Sequence, residues 1–256
     1  MIRRSPSAAL LAASLLLTGC GGGAAAVQDH RPGTAPASST PQAPGRSSPL
    51  PSSPETSVEA APRQVPGLGP KTLSEVPSNA RQAVVVTGRG VNSPMSTVVL
   101  YERTAAGWQA GESRPAHNAL KGWTDHHQAG DLRSPIGVFT LTDAGGRLRD
   151  PGTRLPYDQG SGFTATGTGF EGEPLAGSFD YVIAINYNRK PGTTPLDWTR
   201  PLGAGRGGGI WLHVDHGGPT HGCVSIAEQH MKELLRALDP DRHPVVVMGD
   251  ADSLAR

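Results

Sequence analysis

Residues 208–230 read Gly-Gly-Ile-Trp-Leu-His-Val-Asp-His-Gly-Gly-Pro-Thr-His-Gly-Cys-Val-Ser-Ile-Ala-Glu-Gln-His, and this stretch decides the fold and holds the densest reactive cluster in the chain. Strand alternation over 210–215 points Ile210, Leu212 and Val214 to one face and Trp211, His213 and Asp215 to the other. Gly217-Gly218-Pro219 then reverses the chain, so Cys223 returns toward His213. Ser225-Ile226-Ala227-Glu228 has the pattern of a capping box, and Met231, Leu234, Leu235 and Leu238 follow at helical spacing until Pro240 ends the element. A strand, a turn, a cysteine and a helix are expected in that order.

The same residues suggest chemistry. A thiol near a histidine base is an activated nucleophile, and a helix beginning just after Cys223, together with an imidazolium at His213, is expected to lower its pKa. N–H groups around Gly222 and Cys223 are candidate donors to a developing oxyanion. Two other readings stand beside this one. A lone cysteine is often a small buried apolar residue. His213, His216, His221 and Cys223 are also possible zinc ligands, although His-x2-His-x4-His-x-Cys is not a spacing of the common zinc modules, and no metal or other cofactor is expected.

Outward from the cluster, short β-like runs recur at 81–87, 96–102, 138–142, 181–187, 209–214 and 245–247, separated by Gly, Pro and Asn clusters. The domain, placed at 77–250 with a tail at 251–256, therefore reads as mainly β with one late helix. Gly167-Thr168-Gly169-Phe170-Glu171-Gly172 matches a dinucleotide-binding glycine pattern, but Pro174 follows and no helical period begins, so it reads as a loop. With 23 basic and 22 acidic residues in a 256-residue chain, nothing draws it toward nucleic acid.

The N-terminus is of another kind. Arg3 and Arg4 precede an apolar stretch at 8–17, too short for a lasting membrane span, and Leu17-Thr18-Gly19-Cys20 resembles the lipobox of bacterial lipoproteins. That resemblance implies a signal peptide over 1–20, lipidation at Cys20 and an extracytoplasmic protein held on the membrane. Residues 21–76 are rich in Pro, Ser, Ala and Gly and are expected to form a disordered tether. Its flexible length would be roughly 40 Å root-mean-square.

Thr220-His221-Gly222-Cys223-Val224, preceded by the strand-borne His213, resembles the [Ser/Thr]-His-Gly-Cys signature of the YkuD-type L,D-transpeptidase catalytic domain. Gly130-Asp131-Leu132-Arg133-Ser134-Pro135-Ile136-Gly137-Val138-Phe139 is similar to that family's Gly-Asp-x-x-Thr-Pro-x-Gly-x-Phe segment, with Ser134 in place of Thr. The resemblance spans about residues 80–250 and implies a mostly β fold acting on peptidoglycan stem peptides. It makes Cys223 the nucleophile, His213 its base, Gly222 and Cys223 the oxyanion donors, and gives His221 a positioning or electrostatic role. Thr220, Ser225, Arg206 and Trp211 are candidate substrate contacts, and Arg189, Lys190 and Arg200 are further cations that could meet stem carboxylates.

The chain departs from the family pattern in two places. Val214 follows His213 with a short interval to the cysteine, and Ser225 stands where common members carry Arg. The expected activity is transfer of a stem acyl group to an amine. Transfer to water, as in a carboxypeptidase, or a non-catalytic wall-binding role are the alternatives.

Overall fold

The computed structural model describes residues 62–256. Cys20, the signal peptide and most of the expected tether lie outside these residues. In chain order the elements are α1 (Pro70–Glu75), β1 (Gln82–Gly88), β2 (Met95–Arg103), β3 (Trp108–Ala110), β4 (Arg114–His117), β5 (Trp123–Thr124), β6 (Ser134–Pro135), β7 (Gly137–Gly146), β8 (Tyr157–Gln159), β9 (Val182–Ile185), β10 (Trp211–Val214), β11 (Val224–Ile226), α2 (Glu228–Ala237), β12 (Val245–Asp250) and α3 (Ala251–Leu254). The domain is mainly β, with α2 as its longest helix, following Cys223 in the chain.

Alternating apolar residues shape the sheet. β1 pairs in parallel with β12 and antiparallel with β2, and the order β1-β12-β7-β9-β10-β11-β4-β2 returns to β1, so the strands close into a ring. Closure leaves each of these strands two faces and few free edges. The inner face collects Val84, Val86, Leu141, Ile183, Ile185, Ile210, Leu212, Val224 and Ile226 into one buried cluster. Met231, Leu234, Leu235 and Leu238 from α2 and its C-terminal cap join the same cluster. Each fully buried side chain of this size contributes about 1.5–3 kcal/mol relative to exposure.

The outer face divides in two. Ala83, Val85, Val245 and Val247 turn outward from β1 and β12 and are covered by Val65, Leu68 and Leu254. Val182, Ala184 and Trp211 turn outward from β9 and β10 and meet Phe163, Phe179, Leu196 and Cys223. The cysteine therefore sits on the outer face of the sheet, across it from the inner core.

Three expectations are corrected here. The tether does not extend to residue 76: Val65 and Leu68 are buried, Trp108 N–H donates to the Pro62 carbonyl at 2.8 Å, and α1 begins at Pro70. The C-terminal residues are likewise part of the fold, because Leu254 is buried and Gly69 N–H donates to its carbonyl at 2.8 Å. Ser225 does not cap α2. It belongs to β11, and the helix is preceded by Ala227, which makes no side-chain capping bond.

Candidate active site

β10 and β11 place the signature residues. They run parallel, with Leu212 opposite Val224, His213 opposite Ser225 and Val214 opposite Ile226. Leu212 and Val224 anchor the pair in the inner core, which fixes His213 and Ser225 on the outer face. One step before this register, Trp211 N–H donates to Cys223 Sγ at 3.4 Å, and the thiol points toward the Gly209 carbonyl at 3.7 Å. The ten-residue interval is thus spanned by two adjacent strands joined through a tight loop.

That loop is tied at several points. Thr220 Oγ1 donates to the Cys223 carbonyl at 2.6 Å, and Thr220 N–H donates to the Asn118 carbonyl at 3.0 Å. Ser134, from the upstream segment, accepts from Ala119 N–H at 3.1 Å and reaches the Cys223 carbonyl at 3.5 Å. The two sequence motifs therefore meet at the backbone of Cys223. At Gly222 a Cβ would stand 2.9 Å from Ile210 Cδ1 and 3.7 Å from His127 Cε1, so a larger residue there would require the Ile210 side chain to shift. The Gly222 and Cys223 N–H groups donate to no protein acceptor among the described residues.

His213 is nearly fully buried. Its Nδ1–H donates to the Val214 carbonyl at 2.8 Å, which assigns the proton to Nδ1 and leaves Nε2 as the acceptor. Phe179 meets the ring edge-on at 5.3 Å, and His216 lies parallel to it at 5.8 Å. Burial pushes the His213 pKa down to about 4, more than the Val214 carbonyl raises it. Burial also pushes the Cys223 thiol up to about 11, against the opposing pull of Trp211 N–H. This reverses the expected lowering of the thiol pKa. β11 intervenes between Cys223 and the helix, and a neutral imidazole supplies no positive charge. The pair rests as neutral thiol and neutral imidazole at pH 7.

Around this pair lie two further networks. Asp215 accepts from Ser225 Oγ at 2.7 Å and from His117 Nδ1 at 2.8 Å, so Ser225 is fully buried in a polar cluster. The 167–174 loop folds over the signature: Glu173 Oε1 lies 3.2 Å from His216 Nδ1, and the Phe170 ring is 4.6 Å from that of His221.

The thiol opens into a cleft of about 440 Å³ whose walls include Gly222, His221, His127, Trp198, Arg200 and the glycines at 207–209. Among the candidate substrate contacts, Trp211 is buried in the Phe163–Phe179 cluster, and neither it nor Arg206, Thr220 or Ser225 lines the cleft. Arg189 is held in a buried ion pair with Asp143 at 2.9 Å. Arg200, a candidate for stem carboxylates, does line the cleft, whereas His127 and Trp198 line it without having been singled out from the sequence. Asp131, which sits in the upstream motif, lies 3.0 Å from His127 Nδ1 and was the available clue to it.

A family model described as the YkuD L,D-transpeptidase catalytic domain matches residues 78–247. No curated protein matches the chain. Among solved structures, that of Bdellovibrio bacteriovorus Bd1075 is similar at 16% identity and a TM-score of 0.34, covering 67% of this chain and 48% of that one. The chain thus spans about half the length of that structure's chain.

Proposed function

The chain belongs to the YkuD L,D-transpeptidase catalytic-domain family, and from that premise we propose that it is a peptidoglycan L,D-transpeptidase working through a Cys223 thioester. The observation that carries this reading is the β10–β11 pairing, which sets His213 on the same outer face as Cys223, two residues along β10 from the Trp211 N–H that donates to Sγ, with the thiol lining the cleft and His213 behind its wall. In the proposed reaction, Sγ bonds to the carbonyl carbon of a stem peptide while His213 Nε2 takes the thiol proton. The neutral resting pair suits this concerted transfer, because a thiol held at about 11 is not ionised beforehand. Gly222 and Cys223 N–H groups are free to receive the oxyanion. Collapse expels the amine of the terminal residue, which takes the proton from His213 and leaves a thioester. An amine of a second stem then attacks the thioester, its proton passing to His213, and the cysteine is restored as a thiol. His221, exposed on the cleft wall, acts electrostatically or in positioning.

Lipidation at Cys20 would place this activity outside the cytoplasmic membrane, facing the wall, with the preceding Leu-Thr-Gly supporting that location. The acceptor is tested by incubating the protein with purified tetrapeptide muropeptides and separating the products. Cross-linked dimers are expected. Trimmed monomers alone would make the enzyme a carboxypeptidase, and no product with Cys223 intact would favour a non-catalytic wall-binding role.

A further inference from the structure

Of the four cations that the sequence offers for stem carboxylates, Arg200 alone lies on the cleft wall. Its surroundings build a fork with two open prongs. Nη1 donates to the Asp197 and Thr199 carbonyls, each at 3.1 Å, which ties one corner of the guanidinium to its own loop. Nε and Nη2 have no protein acceptor among the described residues, and no carboxylate there lies within ion-pair distance. Asp197 is the acidic group acting on Arg200, but its carboxylate is engaged by Thr199 N–H at 2.7 Å. The exposed Trp198 ring lies against the guanidinium, with Arg200 Cζ 4.9 Å from its centroid.

The glycines opposite are shaped to this side chain. A Cβ on Gly208 would stand 2.4 Å from Arg200 Nε, and the φ of +142° there is one that other residues rarely adopt. The guanidinium is partly buried, and burial pulls its pKa down without removing its charge. No Asp or Glu lines the cleft, and its other titratable side chains are His127, His221 and Cys223. Arg200 is therefore the permanent charge in a cleft that otherwise carries glycine, apolar residues, two imidazoles and the thiol.

Resting on the acyl-transfer reading above, we propose that Arg200, tied to its own loop through Nη1 and lying against Trp198, is a specificity residue that grips a free carboxylate of the peptide donor through Nε and Nη2. A planar carboxylate matches two parallel N–H donors, whereas a carboxamide offers one oxygen and adds repelling N–H groups. The carboxylate comes either from the residue expelled or from the side chain of the residue acylated, and both are the same chemistry to the guanidinium.

The test uses the full chain in detergent with three tetrapeptide donors: one bearing both carboxylates, one with a C-terminal carboxamide, and one amidated on the donor-residue side chain. Acylation of Cys223 and kcat/KM are measured for the unaltered protein and for Arg200→Gln and Arg200→Lys. One of the two amidations is expected to lower kcat/KM of the unaltered protein by about 10–100-fold. Arg200→Gln is expected to lose the same factor on the di-acid donor and nothing more on that amidated donor, and Arg200→Lys to recover only part. Which amidation shows this cancellation identifies the carboxylate. Equal rates of Arg200→Gln and the unaltered protein on that donor also establish that the variant is folded. If Arg200→Gln loses activity by the same factor on all three donors, or on none, the carboxylate role is overturned. If the unaltered protein acylates on no donor, the transpeptidase reading itself fails.

Discussion

Cys223 and His213 are two neutral groups whose burial moves their pKa values apart, the thiol up to about 11 and the imidazole down to about 4. A base held that low is unprotonated throughout the neutral range, and it fails only when acid protonates Nε2. The acid limb of kcat/KM is therefore expected to fall as pH drops through about 4, not through the ordinary histidine range. A limb centred near 6.5 would mean that His213 is hydrated in the working enzyme. His213→Gln is expected to slow acylation by about 10²–10⁴-fold at temperatures where the variant is still fully folded. The local signature was legible because Thr-His-Gly-Cys and the strand alternation lie within a few residues. The pKa inversion was not, because it depends on the cover supplied by Phe163, Phe179 and Leu196, which are distant in sequence.

At the scale of elements, strand alternation was legible at β10, where Leu212 turns inward and Trp211 outward. Val182 and Ala184 face outward and Ile183 and Ile185 inward, and the run is apolar throughout because both faces of β9 are covered. Leu212→Ala, in the strand that carries His213, is expected to cost about 2–5 kcal/mol in urea unfolding. The Ser-x-x-Glu pattern misled because Ser225 satisfies its hydroxyl on Asp215, a partner ten residues back, just past the end of β10. The β7 bulge between Leu141 and Asp143 has no clear sequence signal either. Asp143 there receives Arg189 Nη1 and Gly192 N–H, each at 2.9 Å, and ties down the segment that leads toward Trp198 and Arg200. Asp143→Ala is expected to destabilise the protein by about 3–5 kcal/mol, since it strands a buried guanidinium. A loss below 1 kcal/mol would mean that the Arg189 charge finds solvent.

Over the whole molecule, the closed ring of strands makes both ends of the domain part of one surface. Residues 62–69 and α3 cover the outward valines of β1 and β12, and the backbone of Lys71 donates to the Arg256 carbonyl at 2.9 Å. Removing residues up to 76 is therefore expected to lower the urea midpoint, whereas removing residues up to 61 leaves the described contacts intact. A Pro-rich composition averaged over 21–76 hid Val65 and Leu68, because two apolar residues carry little weight in a window so long. Among the described residues no helix is long and apolar enough to cross a membrane, so the proposed attachment rests on Cys20. Cys20→Ser is expected to abolish fatty-acid labelling and release the protein from the membrane fraction. Continued retention with no label would point to another anchor.

The chemistry at Cys223 is tested most directly by intact-mass measurement of the full chain and its Cys223→Ser form after incubation with a stem tetrapeptide. The expected result is an adduct equal to the peptide less its terminal residue, present on the unaltered protein, absent from Cys223→Ser and accompanied by released D-alanine. An adduct of equal yield on both proteins, or peptide turnover that survives the substitution, would contradict catalysis through Cys223.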